Sequence, residues 1–374
     1  MREWKLSYLN FAICANRCCA LARSVIGAWI NLPTLRLRFI GLCAFVLVAS
    51  PVLAQSPVRI GILVQELERA QSQSIKGLSE ELRRLGYEEK KNLFFEIRNA
   101  KSNRTALQPA ADELREHKVN VIFTTGTSAT RAAITSTNEI PIVFVHPDDP
   151  VAAGLIKSTT MASPLLPGNS PSFWTSSGGE RPKNLTGVAA YARSTTEKRV
   201  ELIKEIVPGL RKILIFYDSN NAFSRDSFSV TEAAAKKFGL EAVGYAPKST
   251  DELRTTVASL PPMPGTAIFQ VADELFESES EFVFETARTK KFPTMFNQES
   301  WAIAGALAAY GPNYLEMGRQ AARLIHKIVK GEKPSALNIE RAGKFDLTLN
   351  YRTARFLDLK FSPEMLKAAN KVIR

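Results

Sequence analysis

Short apolar runs alternate with amphipathic stretches through most of the chain, and this alternation constrains the fold more than any other feature. The first run, Val58–Val64, is rich in β-branched residues, which indicates a buried strand. Ile75, Leu78 and Leu82 then recur at helical spacing, and Gly86 is placed to end the helix. Repetition of strand, helix and strand predicts a parallel sheet that is covered by helices on both faces.

Two such series follow one another along the chain. The first has predicted strands at Val58–Val64, Leu93–Ile97, Val119–Thr124, Ile140–Val145 and Asn184–Ala190. The second has predicted strands at Ile213–Tyr217, Leu240–Tyr245, Thr266–Val271 and Phe292–Phe296. The residues that follow add a strand over Gly305–Tyr310, a helix over Asn313–Lys330, a strand over Phe345–Asn350 and two short helices, the last over Pro363–Val372. The sequence therefore predicts an α/β fold of two Rossmann-like lobes with parallel sheets.

The predicted series is interrupted by Thr160–Lys183, which is rich in Ser, Pro and Gly and has no hydrophobic periodicity. Such composition is typical of a surface loop, so we interpret this segment as an insertion.

A basic and apolar leader precedes the first predicted strand. Arg36 and Arg38 are followed by the apolar run Phe39–Leu53, which is short for a membrane span, and by Ala54. This order is typical of a signal peptide, so we expect export to the periplasm and cleavage after Ala54. Residues 1–34 are either an unusually long basic region of that signal or lie before the true translation start.

All four cysteines lie before Ala54, at Cys14, Cys18, Cys19 and Cys43. The predicted mature chain therefore contains no disulfide and no thiolate metal site. Cys43 lacks the preceding residues that lipid attachment needs, so we do not expect a lipoprotein.

The positive charge is spread over the predicted helices. The whole chain has a formal net charge of +12. Residues 1–54 hold six basic residues and one acidic residue, so the remainder has 43 Lys and Arg against 36 Asp and Glu, a net charge of +7. Because the basic residues are scattered and have no interleaved aromatic pattern, we interpret them as solvated surface and expect no nucleic-acid partner.

Motifs for catalysis and for cofactor binding are absent from the sequence. It has no Walker motif, no Gly-x-Gly-x-x-Gly after the first strand and no Gly-x-Ser-x-Gly. The three histidines, His117, His146 and His326, are not at metal-ligand spacing. The sequence therefore predicts neither an enzyme nor a cofactor nor a metal site.

Polar residues instead collect at the predicted C-terminal ends of the strands, where open parallel sheets bind their ligands. The candidate ligand-binding residues are Gln65, Thr125, Thr127, Ser128 and His146 in the first lobe, Tyr191 after its last strand, and Tyr217, Asn220, Asn221 and Asp273 in the second.

These candidates have both ligand-binding and structural interpretations. Thr125, Thr127 and Ser128 begin a predicted helix, and hydroxyl and backbone N–H groups at a helix N-terminus can hold a carboxylate. The alternative is that Thr127 or Ser128 only caps that helix. Asp273 either accepts a ligand ammonium group or caps the next helix, whereas Tyr191 and Tyr217 either form flat apolar walls or pack in the core.

Several segments, in order and spacing, resemble the bacterial ABC-transporter substrate-binding proteins of the group that includes tryptophan- and tyrosine-binding lipoproteins. The matching segments are Ile60–Leu63, Leu85–Tyr87, Lys91–Leu93, Ile140–Phe144, Asp149–Ile156, Asn184–Val188, Ala309–Tyr314, Gly331–Pro334, Leu349-Asn350 and Thr353-Ala354.

The resemblance implies a type I periplasmic-binding fold, in which three crossovers join two lobes and the ligand lies between them. It places the strand near Gly305–Tyr310 in the first lobe. The implied division is a leader over 1–54, a first lobe over 57–190 plus about 298–330, and a second lobe over 191–297 plus about 331–374. The implied partners are a membrane permease and a separate ATPase, and the protein is expected to be a monomer.

The predicted function is thus the solute-binding component of an ABC importer, with an amino acid or small carboxylate as ligand. One alternative is a sensory binding protein that presents its ligand to a membrane receptor. Another is a secreted α/β enzyme, although the sequence offers no paired nucleophile and base.

Overall fold

The computed structural model describes residues 56–65, 69–101, 103–146, 150–151, 153–157, 181–190, 192–271, 276 and 279–374, which belong to one compact unit, Ser56–Arg374. The predicted signal peptide with its cleavage after Ala54, and all but the last residues of the Thr160–Lys183 insertion, lie outside the described residues.

The first lobe is built on a six-stranded sheet. Its strands are β1 (Val58–Val64), β2 (Leu93–Asn99), β3 (Val121–Thr125), β4 (Ile142–His146), β5 (Leu185–Ala189) and β11 (Glu340–Arg341). They lie in the order β11-β5-β4-β3-β1-β2, and every neighbouring pair is parallel.

The second lobe is built on a seven-stranded sheet. Its strands are β6 (Lys212–Phe216), β7 (Glu241–Tyr245), β8 (Thr266–Phe269), β9 (Thr294–Phe296), β10 (Ala308–Pro312), β12 (Phe345–Asn350) and β13 (Lys371–Ile373). Their order is β13-β12-β10-β9-β8-β6-β7, and only the pair of β10 and β12 is antiparallel. The two parallel-sheet lobes confirm the predicted fold class.

Helices cover the two sheets. Those of the first lobe are α1 (Arg69–Arg84), α2 (Leu107–Glu116), α3 (Thr127–Ser136) and α9 (Tyr314–Val329). Those of the second are α4 (Thr196–Ile206), α5 (Ala222–Lys237), α6 (Thr250–Ser259), α7 (Ser280–Thr289), α8 (Glu299–Ala304), α10 (Tyr351–Phe356) and α11 (Pro363–Ala368). Each sheet has an apolar cluster on both faces, as the alternation of strands and helices predicts.

Two glycines allow α1 and α9 to pack backbone against backbone in the first lobe. A Cβ atom at Gly77 would lie 1.9 Å from the carbonyl oxygen of Leu315, and one at Gly318 would lie 2.0 Å from that of Ser74. Side chains at these positions are therefore excluded unless the helices separate. Arg323 of α9 also contacts Glu81 of α1 at 3.3 Å, and the Glu81 side chain is only 7% exposed.

The strand near Gly305–Tyr310 was expected in the first lobe, and this expectation is wrong. As β10, it pairs with β9 and β12 in the second sheet. Gly311 allows β10 to lie close to Asn297, because a Cβ atom at position 311 would lie 1.7 Å from the carbonyl oxygen of Asn297. The chain returns to the first lobe only afterwards, with α9, and leaves it again between β11 and β12. Between β5 and β13 it thus makes the three expected crossings, the first being between β5 and α4.

The helix predicted over Pro363–Val372 ends early. Its last helical residue is Ala368, and Lys371–Ile373 instead forms β13, which pairs with β12.

Candidate functional site

The parallel strands of the first lobe end at a common edge, where several predicted site residues lie together. Thr125 at the end of β3 lies opposite Val64 of β1 on one side and Val145 of β4 on the other. Gln65 directly follows β1 and is half-buried. His146 ends β4, but its side chain lies outside the described part of the chain.

The turn between β3 and α3 is made by a glycine. Gly126 has a φ of 81° and occupies the N-cap position of α3 without a side-chain capping bond. The alternative interpretation of Thr127 and Ser128 as the helix cap is therefore wrong, because both residues lie inside the first helical turn. First-turn N–H groups lack partners within a helix, and here they lie at the edge where the strands end.

The two threonines that end β3 differ in how their hydroxyl groups are used. The hydroxyl of Thr124 bonds to that of Thr130 at 2.8 Å, and Thr130 in turn donates to the carbonyl of Gly126 at 2.7 Å. Thr125 is only 4% exposed, and its buried Oγ1 has no hydrogen-bond partner within the described part of the chain. An unsatisfied buried hydroxyl is costly for folding, which makes Thr125 Oγ1 the first candidate for a bond to a ligand.

The predicted residues after β6 are used by the fold itself. The Tyr217 ring stacks on Phe228 of α5, with ring centroids 4.6 Å apart, so its packing interpretation fits the structure better than its role as a ligand wall. The Asn220 N–H donates to Asp218 Oδ1 at 2.7 Å, and the Asn221 N–H donates to the carbonyl of Asp218 at 3.2 Å. Asn220 and Asn221 thus belong to a turn, and both are exposed.

A buried polar cluster that sequence reasoning missed lies at the ends of β8 and β9. It consists of Arg199, Gln270 and Asn297, which are 2%, 0% and 2% exposed. Arg199 Nη1 donates to the carbonyl of Gln270 at 2.6 Å, and the N–H of Asn297 donates to Gln270 Oε1 at 3.1 Å. We call these three residues the Arg199 cluster. Asn297 directly follows the predicted strand Phe292–Phe296, so inspection of every strand end would have found it. Gln270 lies inside the predicted strand Thr266–Val271 and was hidden because the observed strand ends earlier, at Phe269.

The Arg199 guanidinium is buried, and none of the described residues supplies it with a counter-ion. Its plane lies over the Phe269 ring, 4.7 Å from the centroid, and Nη2 donates to Thr196 Oγ1 at 3.4 Å. Among the described residues no carboxylate pairs with it, and its Nε has no partner. Burial lowers the pKa of Arg199 from its ordinary value to about 9. Asn297 Oδ1 is a second buried atom of the cluster without a partner.

Two predicted site residues, Tyr191 and Asp273, lie outside the described residues, and their roles stay predictions. In the part of the chain that the structure does describe, no three His, Cys, Asp or Glu side chains are grouped as a metal site would require. No helix within that part is both long and apolar enough to cross a membrane.

The sequence matches the family described as ABC transporter substrate binding protein over residues 59–172 and 175–373. A tyrosine-binding protein from Clostridioides difficile (strain R20291) is 25% identical over 316 residues, which cover 84% of each chain.

Solved structures with the same fold include a conserved domain protein from Vibrio cholerae, at 25% identity and a TM-score of 0.68, covering 85% of this chain and 99% of that one. A Streptococcus pneumoniae ABC domain in complex with L-Trp is 22% identical, with a TM-score of 0.70 and coverage of 85% and 100%. A ligand-free, open substrate-binding protein from Clostridium difficile is 23% identical, with a TM-score of 0.63 and coverage of 84% and 99%.

Proposed function

The chain belongs to the ABC transporter substrate-binding protein family, as a binding protein and not an enzyme, and from this premise we propose that it holds an amino acid or small carboxylate between its lobes. The observation that carries the proposal is the turn from Thr125 to α3. It joins a helix N-terminus to a buried hydroxyl without a partner at the edge where the strands end.

In this proposal the ligand carboxylate accepts hydrogen bonds from the hydroxyl of Thr125 and from the first turn of α3, which carries Thr127 and Ser128. The positive end of the helix dipole favours an anion there. Gln65 directly follows β1 at the same edge, and we assign it in this proposal as a donor to a second ligand oxygen. Asp273 and Tyr191 are proposed to contact the ammonium group and the apolar part of the ligand.

Two relatives support an amino-acid ligand, since one is a tyrosine-binding protein and another was solved with L-Trp. The contacts of the described residues do not select for an aromatic side chain, because one face of the Tyr217 ring stacks on Phe228 of its own lobe. The proposal therefore extends to small carboxylates without an aromatic ring.

We further propose that the protein is exported, cut after Ala54, and delivers its ligand from the periplasm to a membrane permease that a separate ATPase drives. N-terminal sequencing of the periplasmic protein should begin at Gln55. Recovery of an intact chain that retains Phe39–Leu53 would contradict this part of the proposal.

Binding is tested by pairing each amino acid or small carboxylate with its carboxamide, which has the same shape without the charge. A carboxylate at 100 times its dissociation constant should raise the free energy of unfolding by about 2.7 kcal/mol, as thermal unfolding would show. The paired amide should have little effect, and mass spectrometry should recover the ligand unchanged. Equal binding of acid and amide would refute the carboxylate site, and conversion of the ligand would refute a role in binding alone.

A further inference from the structure

The Arg199 cluster lies at the edge of the second sheet that corresponds to the Thr125 edge of the first. β6, β8 and β9 are parallel, so their C-terminal ends share one edge, where Gln270 and Asn297 follow their strands. α4 runs into β6 through a short turn and therefore begins at that same edge, with Arg199 in its first turn. Arg199 is thus ten residues beyond the end of β5, which places it close in sequence to the first crossing between the lobes.

This cluster has more hydrogen-bonding capacity than the fold uses. A guanidinium has five N–H donors, and Arg199 has two bonds to the described protein, to the carbonyl of Gln270 and to the hydroxyl of Thr196. Its Nε and the Oδ1 of Asn297 are buried without partners. A buried cation without a counter-ion costs several kcal/mol, which proteins offset with an anion or retain for a function.

We propose that the Arg199 cluster binds a second anionic group of the ligand, so that the transported solute carries two carboxylates, one for each lobe. The inference rests on the proposed function, since it adds a second anchor to the carboxylate site at Thr125. The second carboxylate accepts hydrogen bonds from Arg199 Nε and Nη2, in the bidentate arrangement that guanidinium and carboxylate groups favour. Asn297 Oδ1 accepts from a hydroxyl or N–H of the ligand.

Because Arg199 is only 2% exposed, the proposal also requires a motion that opens the cluster to a ligand, and separation of the lobes is the motion it invokes. Hinge opening between two lobes is the usual way in which such clefts admit a ligand. The net charge of +7 that follows the leader attracts anions over a longer range and is consistent with a doubly charged solute. Solutes of this class include dicarboxylic acids and amino acids with acidic side chains.

Calorimetry on the full mature chain tests this with pairs that differ by one charge: succinate and succinamate, glutarate and glutaramate, L-aspartate and L-asparagine, L-glutamate and L-glutamine. We expect at least one diacid to bind ten-fold or more tightly than its mono-amide. In Arg199→Met this ratio should fall to about one, while the mono-amides keep their affinity. The exposed ion-pair residue Arg254 supplies the control, since Arg254→Met should keep the wild-type ratio.

The ratio is measured within each variant, so it does not depend on how stable that variant is. The melting temperature of ligand-free Arg199→Met gives a second readout, and it should be equal to or above that of the wild type because a buried lone charge has been removed. Wild-type ratios near one, with tight binding of the mono-amides, would overturn the inference and leave the proposed function intact. Absence of binding by every compound of this panel would overturn the inference, while the acid and carboxamide pairs described above test the proposed function separately.

Discussion

Replacing the two threonines that end β3 by valine, one at a time, should have opposite effects on stability. Valine matches threonine in shape and removes only the hydroxyl. In Thr125→Val the lost group is a buried oxygen without a partner, and its removal relieves a desolvation cost of about 1–3 kcal/mol. In Thr124→Val the lost group bonds to Thr130 at 2.8 Å, which is worth about 1 kcal/mol.

These free energies correspond to measurable temperature shifts. An unfolding entropy of about 2.1 cal/mol/K per residue gives roughly 0.7 kcal/mol/K for a unit of about 320 residues, so 1 kcal/mol moves the melting temperature by about 1.5 °C. Ligand-free Thr125→Val should therefore melt about 1.5 °C or more above the wild type. Ligand-free Thr124→Val should melt about 1.5 °C below it.

The two substitutions should change the affinity for the ligand in a different pattern from the stability of the fold. If Thr125 Oγ1 donates to a ligand carboxylate, its loss costs about 1.5–3 kcal/mol of binding, or roughly 10- to 150-fold in dissociation constant. Thr124→Val should bind the same ligand as tightly as the wild type. The assay is differential scanning fluorimetry of the ligand-free variants beside calorimetry with an identified carboxylate. If both variants are destabilised and neither loses affinity, Thr125 is a structural residue and the site has been placed wrongly.

Two further predictions concern the first lobe. Gly318→Ala should lower stability by about 2 kcal/mol or more, because its Cβ would lie 2.0 Å from a carbonyl oxygen of α1, whereas Gly343→Ala, whose nearest neighbour would be 3.5 Å away, should be near neutral in urea unfolding. Burial raises the pKa of Tyr87, so the stability linked to its proton is present below about pH 10 and is lost as pH rises through the raised folded-state pKa. Tyr87→Phe loses the bond to His326 Nδ1, worth about 1 kcal/mol, so its deficit at pH 8 should shrink above pH 10, and a constant deficit would contradict this reasoning.

Sequence reasoning predicted correctly the bounds of those elements that are determined by the local pattern of apolar and polar residues. β1 and β12 have the predicted bounds, because Val58–Val64 is a continuous apolar run and Phe345–Asn350 alternates apolar and polar residues. The sheet to which β10 belongs was predicted wrongly, because the prediction came from the topology that the resemblance implies and the small residues of β10 do not indicate its neighbour. That neighbour is fixed by contacts between Gly311 and Asn297, which local periodicity does not encode.

In the candidate site, too, sequence reasoning identified one part and missed another. The turn at Thr125 followed from one general rule, that ligands bind where parallel strands end. Arg199 was missed because it lies between Lys198 and Glu201 in a helix whose charged pattern resembles a solvated surface. Its burial depends on the ends of β8 and β9, about 70 and 100 residues later. For Tyr217 both interpretations stayed open for a related reason, since its stacking partner Phe228 lies on the next helix.

The close packing of α1 against α9 has a consequence for the order in which the protein can fold. α1 is synthesised early in the chain. The helix that packs against it, α9, begins only at Tyr314, after strands β6 to β10 of the second lobe. During synthesis the first lobe therefore stays without one wall until the last part of the chain emerges. A nascent chain that cannot complete its first core stays unfolded for longer, and this property would suit the export that we propose for the protein.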